Sequence, residues 1–411
     1  GGCIVRNDMF NLKRRKQESF SMEKVKFGII GIGNMGSAHV VNINNLKNCE
    51  LTAVCDIDPE AFNRIDEGIR SRLQLFTDPE KFLKEAEIDA VMISVPHYSH
   101  PDLAILAMRQ GKHVIVEKPI AVHKAEAERM IAEAKKYPEL KKSAMFNQRT
   151  IPAHKKIKQM IDSGELGKIM RVNWIITDWF RSQCYYDSGD WRASWRGEGG
   201  GVLLNQCPHQ LDLMQWFFGM PCKVRATAKF GKYHDIEVED EVNAYLEYAD
   251  GKTGNFIACT GEIPGTNRLE IMAERGRLVY EGGKLEFKRN EVETTEFNRT
   301  TDKKFGIPDI WRCEIPVAPP SPAPHKDIVE NVANAILHGT PLLAPMEEGI
   351  NGLELGNAML LSGWKEETVN LPIDSAEYAA RLERLIATSR YQKKAVKKSG
   401  NADGFGSSFG S

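Results

Sequence analysis

A glycine-rich segment near the start of the chain restricts the possible folds more than any other feature. Residues 31–36 read Gly-Ile-Gly-Asn-Met-Gly and directly follow an apolar run, 25–30, that predicts a β-strand. A helix is predicted to begin within the motif. A strand, a glycine-rich turn and a helix in this order are typical of a phosphate-binding loop at the first turn of a dinucleotide-binding domain.

Each residue of this loop has a physical reason for its position. Gly31 permits a tight turn, Gly33 lets a diphosphate approach the backbone, and Gly36 allows close packing of helix and strand. The helix N-terminus, which includes Asn34 and Met35, supplies amide donors. We therefore predict that these five residues contact the cofactor.

An acidic residue follows at the expected distance. Asp56 lies at the end of the next predicted strand, 51–55. Its carboxylate would accept hydrogen bonds from the adenosine ribose and repel a 2′-phosphate, which predicts NAD in preference to NADP. The alternative interpretation is a turn without a ligand, in which Asp56 caps a helix.

Short apolar runs alternate with amphipathic stretches up to residue 148. Strands are predicted at 25–30, 51–55, 90–95 and 113–116, and helices at 102–110 and 124–136. This alternation is typical of right-handed βαβ units. It predicts an N-terminal Rossmann domain at 23–148, built on a doubly wound parallel sheet in an α/β fold.

From residue 149 the pattern changes, because predicted strands follow one another without helices between them. These strands lie at 169–180, 223–231, 241–248, 253–260 and 268–273, and helices are predicted at 326–338 and 347–364. The pattern predicts a second α/β domain at 149–375, with a large, mostly antiparallel open sheet, for substrate binding and oligomerisation. A C-terminal helix is predicted at 376–396, and disordered tails at 1–22, which is basic, and 397–411.

Composition argues against several classes of partner. The formal net charge is -1, which gives no electrostatic reason to expect nucleic acid or an anionic membrane. No apolar run approaches the roughly 20 residues of a membrane span. The eight cysteines are scattered without metal-ligand spacing, which favours free thiols in a reducing cytoplasm and predicts no metal site.

Two further segments complete a set of motifs. Residues 117–119 read Glu-Lys-Pro at the end of a predicted strand, and residues 199–209 read Gly-Gly-Gly-Val-Leu-Leu-Asn-Gln-Cys-Pro-His. Together with the glycine loop and residues 95–100, they resemble the Gfo/Idh/MocA family, which includes glucose–fructose oxidoreductase and inositol dehydrogenase. The resemblance spans roughly residues 24–372.

This resemblance implies a substrate alcohol held between the nicotinamide and two side chains. Lys118 would donate a hydrogen bond to the reacting oxygen, and His209 would take the hydroxyl proton as hydride leaves. Many relatives have Asp four residues before this histidine, whereas this chain has Asn205. An amide can position a hydroxyl but cannot act as a carboxylate base. We assign all three residues as catalytic and as substrate contacts.

We predict further contacts with the cofactor and with the substrate. The predicted cofactor contacts beyond the loop are Pro96, His100, Glu117 and Lys118, and the predicted substrate contacts are Asn147, Arg149, Trp179, Trp191, Arg192 and His325.

Structural interpretations of these residues remain open. Asn205 could be the N-cap of a helix whose first turn holds Pro208. His209 could be a core histidine, and Lys118 a surface lysine before a proline. The remaining histidines have similar alternatives: helix capping for His100, capping or packing for His325, and packing for His39.

An aromatic-rich stretch predicts the substrate class. The residues are Trp174, Trp179, Phe180, Tyr185, Tyr186, Trp191 and Trp195, several of them in or beside the polar stretch 187–201. Aromatic faces beside charged residues suit a hydroxylated ring with an apolar face, as in a sugar or glycoside. The alternative is a subunit interface or a covered sheet edge.

The later segment 364–372 resembles the family's branch that acts on glucosides, whose members often oxidise C3 to a ketone. We therefore expect NAD-dependent oxidation of a secondary ring hydroxyl of a sugar or glycoside, first of all C3 of a glucoside. An inositol or polyol dehydrogenase, an NAD-using oxidation–elimination glycosidase and a non-enzymatic NAD-sensing regulator remain alternatives. The resemblance also implies a homo-oligomer assembled through the C-terminal sheet.

Overall fold

The computed structural model describes residues 24–392, which fold around two β-sheets. The strands of the first sheet are β1 (Val25–Ile30), β2 (Cys49–Cys55), β3 (Gln74–Phe76), β4 (Ala90–Ile93), β5 (His113–Val116) and β6 (Lys142–Ala144). They are parallel and lie in the order β3-β2-β1-β4-β5-β6. The helices that accompany them are α1 (Asn34–Asn44), α2 (Glu67–Arg70), α3 (Pro79–Glu85), α4 (His100–Arg109) and α5 (Lys124–Ala134).

The predicted doubly wound parallel sheet is confirmed. Its central strands are almost entirely buried, as expected when helices cover both faces of a parallel sheet. The strand order reverses between β1 and β4, and in open α/β sheets ligands bind at the carboxyl ends of the strands on either side of such a switch point. The predicted strand 90–95 ends at Ile93, because the next carbonyl, that of Ser94, packs against the turn at Gly31.

The second sheet contains nine strands. They are β7 (Ile169–Ile176), β8 (Lys223–Phe230), β9 (Glu239–Glu247), β10 (Thr253–Cys259), β11 (Asn267–Ala273), β12 (Gly276–Glu281), β13 (Lys284–Asn290), β14 (Ile310–Ile315) and β15 (Val369–Asn370). Their order is β14-β13-β12-β11-β7-β10-β9-β8-β15, and the pair β7–β10 is parallel while the other neighbours are antiparallel. The predicted mostly antiparallel sheet is therefore confirmed.

Helices cover one face of this sheet. The helices of this part of the chain are α6 (Pro152–Asp162), α7 (Gln183–Asp187), α8 (Pro208–Phe218), α9 (Thr294–Thr300), α10 (Pro324–His338), α11 (Gly349–Lys365) and α12 (Ser375–Thr388). Strand β8 shows the expected alternation, since Val224, Ala226 and Ala228 are buried beneath α11 while the residues between them are exposed. The sequence analysis missed β12, β13 and β14, although in β13 the buried Leu285 and Phe287 alternate with charged residues as expected for a half-buried strand.

The chain returns to the first sheet after building the second. Helix α10 packs against α1 and β1, burying Ile328, Val329 and Val332, and α12 packs against α5. The predicted domain 149–375 is therefore not one contiguous packing unit. The predicted C-terminal helix 376–396 ends at Thr388, because Ser389 leaves the helical conformation.

Three predictions extend beyond the described residues. The predicted tails 1–22 and 397–411, and positions 393–396 of the predicted helix, lie outside residues 24–392. Within that range no helix combines the length and the apolar character needed to cross a bilayer. The seven cysteines of the described range are free thiols.

A buried ion pair connects the two sheets. Arg149 is 1% exposed, and its Nε and Nη2 atoms donate to the two carboxylate oxygens of Asp212 at 2.8 and 2.7 Å. Its Nη1 atom donates to the carboxylate of Glu348 at 2.5 Å and to the carbonyl of Leu343 at 3.1 Å. These protein groups take up the guanidinium, so the predicted substrate contact of Arg149 is wrong: the residue holds α8 and the start of α11 beside the first sheet.

Removing the charge of Asp212 should destabilise the fold strongly. In Asp212→Asn the guanidinium of Arg149 stays buried without its bidentate partner, and breaking a buried pair in this way costs about 3–5 kcal/mol. Asp162→Asn is the matched control, because Asp162 pairs with Lys158 at the surface, where an ion pair contributes at most about 1 kcal/mol. Urea denaturation of both variants measures the difference. Equal unfolding midpoints would contradict the assigned role of Asp212.

Candidate active site

The three glycines of the nucleotide loop have three different surroundings at the carboxyl end of β1. Gly31 has φ +93°, and a Cβ there would lie 2.2 Å from the carbonyl oxygen of Ser94. A Cβ at Gly36 would lie 1.8 Å from the carbonyl oxygen of Gly31. Gly33 has φ −76°, and a Cβ there would meet no atom within 4 Å. The chain itself thus requires Gly31 and Gly36, whereas the open space at Gly33 fits the close approach of a diphosphate.

Helix α1 presents its N-terminus to this space. Its N-cap is Gly33, no side chain caps it, and its first turn contains no acidic residue. Ser37 is the first residue whose amide donates within the helix, to the carbonyl of Gly33 at 2.9 Å. The amides of residues 34–36 therefore precede the helical hydrogen bonds and, with the positive end of the helix dipole, suit an anion.

Asp56 lies beside the loop with a fixed orientation. One carboxylate oxygen accepts from the amide of Ile32 at 2.7 Å, and the other accepts from the amide of Asp58 at 2.9 Å. Each oxygen keeps a further lone pair with which it can accept a ribose hydroxyl. Together with Gly33 and the helix N-terminus, the residues present fit NAD.

Glu117 joins the end of β5 to the nucleotide helix. Its Oε1 atom lies 2.6 Å from Nε2 of His39, and its Oε2 atom accepts from the amide of Lys118 at 3.1 Å. Burial acts to raise the pKa of Glu117, but the hydrogen bond and charge of His39 hold it at about 2. His39 is buried, as predicted for a packing residue, but it also binds Glu117, so it orients the segment that carries Lys118.

Lys118 is anchored by a backbone carbonyl from the second half of the chain. Its Nζ atom donates to the carbonyl of Asn205 at 2.9 Å. Burial lowers the pKa of Lys118, Glu117 opposes this shift, and the charges of Arg192 and Arg181 add to it. The ammonium form keeps two further donors for a substrate oxygen. The alternative interpretation of Lys118 as a surface lysine before a proline is therefore wrong.

His209 occupies the first turn of α8 and is buried. Burial lowers its pKa well below 6.5, and the charge of Lys118 lowers it further. The ring is therefore neutral at neutral pH and able to accept a proton. Its centroid lies 6.3 Å from that of Phe146, in an edge-to-face arrangement.

Several buried polar atoms in this region have no hydrogen-bond partner within residues 24–392. They are Nδ1 of His209, Oδ1 of Asn147, Oε1 of Gln206 and Nε1 of Trp179. Buried polar atoms in native proteins are nearly always hydrogen-bonded. These donors and acceptors suit a nicotinamide amide and a polyhydroxylated substrate.

Aromatic rings and guanidinium groups alternate along one side of the site. The guanidinium of Arg192 lies 4.3 Å from the ring centroids of both Tyr185 and Trp191. The guanidinium of Arg181 lies 5.1 Å from Tyr185 and 5.3 Å from Trp179. Contacts of this kind are favourable cation–π interactions. The predicted substrate contacts Trp179, Trp191 and Arg192 therefore belong to one continuous column, with Tyr185 at its centre.

Asn205 lies in a π-helical turn, Val202–Gln206, and the N-cap of α8 is Cys207. The alternative interpretation of Asn205 as an N-cap is therefore wrong: the π-helical turn moves the start of the helix two residues further on. The side-chain amide of Asn205 donates to the buried carboxylate of Glu198.

His100 has a structural role in place of the predicted cofactor contact. Its ring is fully buried, with Nδ1 2.7 Å from the carbonyl of Pro119 and Nε2 2.8 Å from the carbonyl of Val95. Both ring nitrogens are thus engaged by the backbone, tying the segment after Lys118 to the end of β4. The interpretation as a helix cap is also wrong, because His100 is itself the first residue of α4. Pro96 lies at the same end of β4, before the turn His97–Ser99.

The return of α10 brings His325 to the site. Its ring centroid lies 5.9 Å from that of His39, and no side chain caps α10. Burial lowers the pKa of His325 to about 4. It therefore stands as a neutral imidazole beside the His39–Glu117 pair, a position that its place in the sequence could not reveal.

Sequence reasoning missed four residues of this site: His39 as a partner, Arg181, Tyr185 as the centre of the column, and Glu198. The position of Glu198 directly before three glycines was the available signal, since a carboxylate in a glycine-rich turn commonly accepts backbone amides. The partner of His39, Glu117, lies far away in sequence, whereas Arg181 and Tyr185 contact each other within the aromatic-rich stretch.

Replacing Gly33 by alanine should weaken NAD binding without unfolding the protein. The added methyl group enters open space and occupies the approach of the diphosphate, so we expect NADH affinity to fall about tenfold or more, which is ~1.4 kcal/mol. Titration of NADH fluorescence measures the affinity, and a thermal melt measures the fold. Gly36→Ala is the contrasting variant, because its methyl group overlaps the carbonyl of Gly31 and should lower the melting temperature. Unchanged NADH affinity in Gly33→Ala would contradict the assignment.

Two family models match the chain. The oxidoreductase family with an NAD-binding Rossmann fold matches residues 25–141, and the GFO/IDH/MocA C-terminal domain matches residues 154–279. These two matches fall on the parallel and the antiparallel sheet respectively.

Named relatives agree with both matches. The myo-inositol 2-dehydrogenase of Thermotoga maritima is 24% identical over 264 residues, which cover 62% of this chain and 74% of that protein. The inositol 2-dehydrogenase of Rhizobium meliloti is 29% identical over 264 residues, which cover 62% of this chain and 76% of that protein. The WlbA dehydrogenase of Bordetella pertussis, in complex with NADH and UDP-GlcNAcA, superimposes with a TM-score of 0.71 and 25% identity, covering 86% of this chain and 100% of that one. Both sheets thus match the same family, and the chain belongs to the GFO/IDH/MocA family of NAD-binding oxidoreductases.

Proposed function

We propose that this protein oxidises a secondary ring hydroxyl of a sugar or glycoside to a ketone, with C3 of a glucoside as the leading candidate. The observation that carries the proposal is the neutral imidazole of His209 beside the amine of Lys118, at the carboxyl end of β5. An alcohol that gives up hydride must also give up its proton. That reaction requires a base and a hydrogen-bond donor at one oxygen.

Each of these two side chains has a separate role in the reaction. His209 accepts the hydroxyl proton, for which its lowered pKa keeps it in the neutral form. Lys118 donates to the same oxygen and stabilises the negative charge that develops there. Its anchor on the carbonyl of Asn205 fixes the amine before the substrate arrives. NAD, when bound, supplies the hydride acceptor.

The aromatic–arginine column supports a ring-shaped, hydroxylated substrate. Trp179, Tyr185 and Trp191 offer apolar faces to the C–H face of a pyranose. Arg181 and Arg192 lie between these rings and carry several N–H donors for ring hydroxyls. A mixed apolar and polar lining of this kind is typical of small-molecule sites.

An inositol or another cyclic polyol is the second candidate. The two inositol 2-dehydrogenases named above favour it. An inositol presents the same adjacent ring hydroxyls as a pyranose but lacks the ring oxygen and the aglycone. Comparing glucosides with inositols as substrates therefore decides between the two candidates. The roles assigned to Lys118 and His209 are the same for both.

We further infer that the protein assembles as a homo-oligomer through its second sheet. Helices α8 and α11 cover one face, while the other face carries partly exposed side chains, among them Tyr245 and Ile257. A broad sheet face with apolar and aromatic side chains suits a second copy of the chain. Light scattering of the purified chain measures its mass.

Substitution of the two catalytic residues should abolish turnover and preserve cofactor binding. We expect Lys118→Met and His209→Asn each to lower kcat by about 10²-fold or more. The assay follows NADH absorbance with NAD and a panel of aryl glucosides, free sugars and inositols. Surface variants Lys136→Met and His338→Asn are the matched controls.

The outcome of this panel separates the alternatives. Net NADH formation with glucosides supports the leading candidate, and formation with inositols alone supports the second. Release of the aglycone without net NADH would indicate oxidation and elimination, and binding without any turnover would indicate a sensor. Unchanged kcat in Lys118→Met and His209→Asn would refute the assigned chemistry.

A further inference from the structure

Glu198 is a buried carboxylate that has no role in the reaction described above. It is 0% exposed, and its Oε2 atom accepts from the amide of Ala193 at 2.8 Å. Its Oε1 atom accepts from the side-chain amide of Asn205, and its backbone carbonyl lies 3.4 Å from Nδ1 of His97. A carboxylate removed from water needs strong hydrogen bonds to both oxygens. Glu198 therefore controls the orientation of the donors that face it.

The carboxylate determines which end of the Asn205 amide points toward it. Carboxylate oxygens only accept hydrogen bonds, so Asn205 must present Nδ2 to Glu198. The same Nδ2 atom lies 3.4 Å from the hydroxyl oxygen of Tyr185. The amide oxygen of Asn205 therefore faces away from Glu198. The backbone carbonyl of Asn205 meanwhile binds Lys118, so this residue lies beside the proposed reacting oxygen.

We propose that Glu198 is a positioning residue that turns the Asn205 amide so that its oxygen accepts a hydrogen bond from the ring hydroxyl adjacent to the reacting one. This proposal rests on the proposed function and narrows its substrate class. The side chain of Asn205 then accepts a hydrogen bond from the substrate and does not donate one. The substrate must therefore carry a free hydroxyl on the carbon that faces Asn205. Deoxy and O-methyl analogues at that carbon cannot donate to Asn205 and should be poor substrates.

The pair leaves an acceptor facing the substrate in only two arrangements. A carboxylate at 198 requires an amide at 205, and a carboxylate at 205 would require an amide at 198. Two carboxylates at hydrogen-bonding distance would repel each other, and one would retain its proton to a higher pH. A reciprocal exchange of the two side chains can therefore separate an orienting role from a merely structural one.

In Glu198→Gln the side-chain amide of Asn205 should rotate so that its oxygen and its nitrogen exchange positions. Oε1 of the new side chain can still accept from Ala193, whereas its Nε2 atom would face Nδ2 of Asn205. The Asn205 amide then rotates and presents a donor to the substrate, and we expect kcat/KM to fall about tenfold or more. In the double variant Glu198→Gln/Asn205→Asp, the amide at 198 donates to a carboxylate at 205. An acceptor again faces the substrate, and kcat/KM should rise above that of Glu198→Gln.

A second measurement requires no substrate. In Asn205→Asp the like charges raise the pKa of the pair in the folded state above its unfolded value, so the folded state binds the extra proton. The melting temperature of this variant, relative to the wild type, should therefore fall as pH rises from about 5 to 8. The double variant should lose this pH dependence. The ionisable groups around the pair are Tyr185, Tyr186, Arg192, Glu239, His97 and Lys118, and they are common to every variant.

The two measurements together decide the proposal. The proposal is supported if the double variant recovers kcat/KM and if its melting temperature, relative to the wild type, no longer depends on pH. Losses that simply add in the double variant overturn it, and so does recovery of stability without recovery of kcat/KM. A wild-type chain that turns over no sugar, glycoside or inositol overturns the proposed function and the substrate role of Asn205. The melting temperatures then still decide whether Glu198 and Asn205 pair as described.

Discussion

The arrangement of this protein depends on a guanidinium group that has almost no contact with water. Arg149 follows β6, the last strand of the first sheet. It donates to Asp212 on α8 and to Glu348 at the start of α11. Because an unpaired buried charge is strongly unfavourable, these elements can occupy only positions that keep the guanidinium paired. His209 lies one helical turn before Asp212, so the same ion pair that joins the two sheets also places the proposed base over the carboxyl end of β5.

Hydrogen bonds from other parts of the chain hold the functional groups of the site in place. His39 on the nucleotide helix binds Glu117, the carbonyl of Asn205 binds Lys118, and Glu198 binds the Asn205 amide. Each contact joins residues from different elements, so the donors and acceptors are in place before a substrate enters. Electrostatic stabilisation of a developing charge is strongest when the groups need not reorganise during the reaction. In the proposed reaction the folded chain would bring a lysine and a histidine, ninety-one positions apart in the sequence, to one oxygen.

Predictions succeeded where the physical reason for a residue was local. Gly36 is required by a contact with Gly31 inside the loop, Gly31 has φ +93°, and Asp56 directly follows the next strand, so the motif could be interpreted from its spacing. Predictions failed where a polar side chain had a distant partner. Arg149 and His100 lie near the site in sequence, but a carboxylate on α8 and two backbone carbonyls engage them.

The sequence alone determined the alternation of strands and helices and the nucleotide loop, because periodicity and motif spacing depend on neighbouring residues. The roles proposed for the lysine and the histidine came from the resemblance to the family. Only the tertiary structure decided three further properties: the return of α10 and His325 to the first sheet, the orientation of the Asn205 amide, and the neutral state of His209. These properties depend on burial and on hydrogen bonds between residues distant in the chain. No local pattern encodes those contacts, since they exist only once both sheets have packed.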